Sequence, residues 1–163
     1  MSEKRNSPAD TRDRELVTSR TLNAPRELVF SALTDAKSIG SWWGPDGFTS
    51  TVHEMDVREG GVWRYTMHGP TGENYPNKVV YLEVVRPERL VYWHGSDGDV
   101  ANDPNSFHVT ITLAEVDALK TAITLHSVFA TAEQFEVHKT YGAVEGANQN
   151  LARLEQYLKR QQR

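Results

Sequence analysis

Apolar and polar residues alternate over most of the second half of this chain. Phe107, Val109, Ile111 and Leu113 alternate with His108, Thr110 and Thr112, and Ile123, Leu125 and Phe129 repeat the pattern. A period of two places one set of side chains on a buried face and the other on a wet face, as in an antiparallel sheet. The same reasoning predicts strands over 15–22, 48–57, 62–68, 78–85, 90–94, 107–113 and 119–129, rich in Val, Ile, Thr, Tyr and Trp. Between them lie turn compositions such as Glu59-Gly60-Gly61, Gly69-Pro70-Thr71-Gly72 and Asp117-Ala118.

A helical period interrupts this pattern twice. Pro25 pre-sets a helical φ, Glu27 suits a first turn, and Val29, Phe30 and Leu33 share a face. Asp35 is placed to cap a second short helix that ends by Gly44-Pro45. Thr131 is placed to cap a third helix through Val137. A long helix is then expected from Tyr141 to Arg160, with Val144, Ala147, Leu151, Leu154 and Leu158 as its apolar stripe.

The predicted fold class is α+β: a seven-stranded antiparallel sheet with two short helices after its first strand and a long C-terminal helix. Helices on one face of a sheet form a two-layer core. One amphipathic helix is too narrow to cover a curved sheet of that width, so a cavity is expected on its concave side. The expected organisation is a disordered polar arm over 1–14 and one domain over 15–160.

Composition narrows the function classes. The 163 residues carry 18 Lys+Arg against 22 Asp+Glu, a net charge of −4. A nucleic-acid partner is not expected, because such surfaces want a basic excess. No apolar run reaches the roughly 20 residues needed to span a bilayer, so membrane insertion is not expected. Met1–Arg14 lacks the apolar core of a signal peptide. With no cysteine, the chain has no disulfide, thiolate nucleophile or Cys-type zinc site, which suits a cytoplasmic location.

The richest chemistry lies in Ser41-Trp42-Trp43-Gly44-Pro45-Asp46-Gly47-Phe48 and the strand carrying Trp63. Rings beside breakers suggest a lined cleft, with Trp42 or Trp43 at its mouth. The candidate ligand-binding residues are Trp43, Phe48, Trp63, Tyr65, Tyr81, Trp93, Phe107 and Phe129, with His94 ending its strand nearby. His53, His68, His94, His108, His126 and His138 show no metal-ligand spacing, and no metal is expected. His108 and His126 fall on the wet face by alternation. Glu54 and Glu83 read as surface charges rather than a general acid and base, and Asp56 with Arg58 as a surface pair. No glycine pattern for a nucleotide and no Gly-x-Ser-x-Gly elbow occurs, so no cofactor is expected.

Five segments carry a resemblance: Asn23-Ala24-Pro25-Arg26-Glu27-Leu28-Val29-Phe30, Ser41-Trp42-Trp43-Gly44-Pro45, Met55-Asp56-Val57-Arg58-Glu59-Gly60-Gly61, Val84-Val85-Arg86-Pro87-Glu88-Arg89-Leu90-Val91 and Gly142-Ala143-Val144-Glu145-Gly146. In order and spacing they resemble the activator of Hsp90 ATPase homologue 1-like family of the Bet v 1/START-like (SRPBCC) superfamily. The resemblance implies a helix-grip fold, with the long helix clasped by the sheet around an internal cavity. That superfamily includes lipid carriers, plant hormone-binding and allergen proteins, and polyketide aromatase/cyclases. The additional N-terminal domain of the eukaryotic co-chaperone is not among these residues, so Hsp90 activation is not carried over.

The expected function is binding of a hydrophobic or aromatic small molecule. The alternatives are a cyclase/aromatase- or hydrolase-like enzyme using the same cavity, and a co-chaperone-like interaction module. A protein partner or homodimer stays open. No complete catalytic constellation occurs in the sequence, which places binding ahead of catalysis.

Overall fold

The computed structural model describes residues 10–162. The expected arm falls mostly on residues 1–9, outside the described residues. Just before the first strand, Arg12–Arg14 form a 3-10 turn. The order is then β1 (Glu15–Leu22), α1 (Arg26–Thr34), α2 (Ala36–Ile39), β2 (Thr49–Met55), β3 (Val62–His68), β4 (Asn74–Val85), β5 (Arg89–Ser96), β6 (Phe107–Asp117), β7 (Lys120–Val128), α3 (Ala132–Thr140) and α4 (Ala143–Gln161).

All seven strands form one sheet in the order β1-β7-β6-β5-β4-β3-β2, and every neighbouring pair is antiparallel. This is the helix-grip architecture expected from the sequence. Three strands are longer than the alternation predicts. β4 begins at Asn74 rather than Lys78, and β6 runs on to Asp117. β5 spans Arg89–Ser96 where 90–94 is expected. The residues added to β4 and β6 are mostly exposed, and ladder pairing rather than burial extends them.

Local signals place the short helices. Asp35 Oδ2 accepts from the Ser38 N–H at 3.0 Å, and Thr131 Oγ1 accepts from the Gln134 N–H at 3.1 Å. Both are side-chain caps that satisfy otherwise orphaned helix N–H groups. α2 ends at Ile39, short of the expected Gly44-Pro45, and the intervening residues turn back toward the sheet.

The core lies between the concave sheet face and the helices, and includes Leu22, Trp63, Val79, Ile111, Ile123 and Leu154. Along α4 the inward stripe changes character. Its C-terminal half presents Leu151, Leu154 and Leu158, all buried. Its N-terminal half presents Ala143, Gly146, Ala147 and Asn150. Val144, expected in the stripe, is 37% exposed, because the true phase at that end runs through positions 143, 146 and 147. Leucines fill the space under one half of the helix, and small residues leave it open under the other.

Candidate functional site

Under the small-residue half of α4 lies a cavity of about 350 Å³. Trp43, Tyr65, Tyr92, His94, Phe107 and Phe129 supply its rings, with Leu16, Met67, Val109 and Leu125 between them. None of its lining residues is Asp, Glu, Lys or Arg. Tyr141, at the junction of α3 and α4, lines the cavity yet is 86% exposed, which puts it at the opening.

The two adjacent tryptophans have separate jobs. Trp42 donates its indole N–H to the Ala32 carbonyl at 3.1 Å and anchors α1 inside the core. Trp43 faces the cavity and donates to the Tyr65 hydroxyl at 3.0 Å. Trp43 meets Trp63 edge-on at 5.2 Å, and Trp63 stacks on Tyr65 at 4.5 Å. Such pairs add rigidity beyond simple burial.

The polar end of the cavity spans three neighbouring strands. The Tyr65 hydroxyl on β3 lies 3.0 Å from His94 Nε2 on β5, which lies 3.1 Å from Asn77 Oδ1 on β4. Burial drives the His94 imidazole down to about 4, with a smaller contribution from His138, so the ring is neutral at neutral pH. Burial also raises the Tyr65 phenol, partly offset by the Trp43 hydrogen bond, and keeps it protonated. Phe107 contacts both His94, at 4.9 Å, and His138, at 5.5 Å; His138 also packs on Phe129 at 4.5 Å, and burial lowers its pKa as well.

The candidate residues read from sequence divide into three groups. Trp43, Tyr65, Phe107 and Phe129 line the cavity. Trp63 and Tyr81 are buried on the same sheet face but stand behind the lining. Phe48 and Trp93 lie elsewhere. Phe48 packs beside Tyr75 at 6.3 Å. Trp93 sits between two inward residues, Tyr92 and His94, so alternation turns it to the outer face, where it pairs with His108 at 5.2 Å. Sequence reasoning missed Asn77, Tyr92, His138 and Asn150. The signal for Asn150 was present in the helical spacing 143-146-147-150. Asn77 lies one residue before the strand expected over 78–85, and the structure includes it in β4.

The charged candidates are on the surface. Glu83 pairs with Arg89 at 2.7 Å, Glu54 lies 3.8 Å from Arg64, and Asp56 pairs with Arg58 at 2.7 Å. His126 bonds Glu15 on the outer face. Among the described residues, no group of three or more His, Cys, Asp or Glu side chains is placed to hold a metal ion, and no helix is long and apolar enough to cross a membrane.

The family model for activator of Hsp90 ATPase homolog 1-like proteins matches residues 23–159, which include both tryptophans, the polar triad and most of α4. The chain belongs to this family. Solved structures of other members of the fold agree. A Nitrosomonas europaea protein superposes with a TM-score of 0.81 at 25% identity, over 93% of this chain and 97% of the other. A Mycobacterium smegmatis protein gives 0.80 at 26% identity, over 91% and 93%. An AHSA1 protein from Silicibacter pomeroyi gives 0.73 at 20% identity, over 90% and 99%, which speaks for the fold alone. No curated protein matches the sequence at a significant level. Family membership is compatible with a hydrophobic ligand or a protein partner and selects no particular one.

Proposed function

We propose that this protein binds a flat, largely apolar small molecule in the cavity between the sheet and the N-terminal half of α4. The observation that carries this reading is the lining itself: aromatic rings on the sheet, Gly and Ala on the helix, and no ionised side chain around about 350 Å³. That volume lies within the usual range for ligand sites, and apolar burial supplies the driving force. Catalysis is the weaker reading. Tyr65 is held protonated and His94 neutral, and neither is tuned toward proton transfer near neutral pH.

The test uses the chain's four tryptophans as reporters. In ¹H–¹⁵N spectra, titration with 2-ethylnaphthalene should shift the Trp43 indole N–H saturably and leave that of Trp93 in place. No saturable shift with this probe or with larger flat hydrocarbons, or a shift confined to Trp93, would end the proposal.

A further inference from the structure

Three hydrogen-bond partners whose chemistry is fixed determine where the protons lie at the polar end of the cavity. The Tyr75 backbone carbonyl can only accept. Asn77 lies 2.8 Å from it and must present Nδ2 there, which turns its Oδ1 toward His94. An oxygen facing His94 Nε2 requires a proton on that nitrogen. His94 is therefore the Nε2–H tautomer. Its Nε2 has no lone pair left for the Tyr65 hydroxyl, although the two atoms are 3.0 Å apart.

The Tyr65 oxygen is already an acceptor, because the Trp43 indole N–H can only donate to it. The Tyr65 O–H hydrogen is thus left without an acceptor among the described residues. Tyr65 is 1% exposed to solvent and lines the cavity. The same logic applies on the helix side. The Gly44 N–H can only donate, so it fixes Asn150 with Oδ1 toward the turn at 2.9 Å, leaving the Nδ2 hydrogens without an acceptor among the described residues. A buried donor without an acceptor, as the Tyr65 hydroxyl is, is costly, and a ligand that supplies the acceptor relieves that cost.

From this we infer that the cavity selects uncharged planar ligands bearing a carbonyl-type oxygen, which accepts from the Tyr65 hydroxyl while the ring system packs against Trp43 and Phe107. This rests on the cavity-binding reading above and adds the ligand class. A carboxylate would enter a lining with no cation. The nearby Arg153 guanidinium donates to the Gly44 and Pro45 carbonyls at 2.9 Å each. An ammonium would meet no carboxylate. Either ion would lose its hydration without a counter-charge. The ionisation states agree, since burial keeps Tyr65 a donor and His94 neutral.

The test compares 2-acetonaphthone, 2-ethylnaphthalene and 2-naphthoate by calorimetry on the full chain and on Tyr65→Phe, which keeps the ring and removes the hydroxyl. The ketone should bind wild type roughly fivefold to tenfold tighter than the hydrocarbon, the effect of one buried hydrogen bond. Naphthoate should bind more weakly than either. Tyr65→Phe should erase the ketone's advantage and leave hydrocarbon binding in place, which also certifies that the variant is folded. Equal ketone and hydrocarbon affinities, or a ketone preference that survives Tyr65→Phe, would overturn the inference and leave the cavity reading standing. Naphthoate binding as tightly as the ketone would overturn the requirement for an uncharged ligand. No binding by any of the three would remove both readings. Independently, long-range ¹H–¹⁵N spectra should show His94 protonated at Nε2. Protonation at Nδ1 would break the chain of assignment at its first link.

Discussion

The Gly44 backbone N–H donates to Asn150 Oδ1 at 2.9 Å, across 106 positions of sequence. Arg153, one turn further along α4, donates to the Gly44 and Pro45 carbonyls. These three bonds fasten the turn that carries Trp43 to the helix opposite it. Gly44 itself has φ +123°, a conformation that L side chains rarely adopt, so the turn reaches the helix with glycine at its apex.

Asn150→Ala should therefore cost about 1–3 kcal/mol, because it strands the Gly44 N–H in a buried setting. Urea denaturation measures it. Asn148→Ala is the control: its side chain is exposed and bonds only the Val144 carbonyl of its own helix, so its loss should stay within about 0.5 kcal/mol. Equal effects at both positions would deny the clamp its role.

Leu154 is completely buried at the filled end of the stripe. Leu154→Ala should cost roughly 2–5 kcal/mol in the same assay. A loss as small as a surface change would mean that the helix packs in another phase.

The small-residue end should behave in the opposite way. A Cβ at Gly146 would lie 3.7 Å from Pro45 Cβ, an ordinary contact. Gly146→Ala should therefore stabilise by about 0.5–1 kcal/mol, the usual gain for this change within a helix. Ala147→Leu should project into the cavity and abolish 2-ethylnaphthalene binding while circular dichroism stays native. Undiminished binding in Ala147→Leu would relocate the ligand.

Acid should weaken the fold through His94. Its folded pKa is pushed down to about 4, against an ordinary value of 6.5. Between those values the unfolded chain holds a proton that the folded chain refuses. The unfolding free energy should therefore be flat above pH about 6.5 and fall as the pH drops toward 4, by at most about 1.4 kcal/mol per pH unit for one histidine. Burial lowers His108 and His138 too, and they act with the same sign. His94→Gln should flatten the slope. An unchanged slope would assign the acid sensitivity to other groups.

The sequence by itself determined whatever depends on consecutive residues. The period of two marked β3 as Val62–His68 with its true ends, and single side chains marked the caps at Asp35 and Thr131. The spacing of Leu151, Leu154 and Leu158 fixed the inward face of α4 where the helix is filled. Tertiary structure alone decided what the adjacent Trp42 and Trp43 do. One indole reaches a carbonyl in α1, and the other reaches a hydroxyl on β3. It also decided that Tyr65, Asn77 and His94 meet, because that depends on the register of three strands, the middle one carrying a register shift between Tyr81 and Glu83. Alternation says which face a side chain takes. Whether the space above that face is filled by leucine or left open above glycine and alanine is set by which part of a helix distant in sequence comes to lie over it, and contact over such separations leaves no periodic trace in sequence.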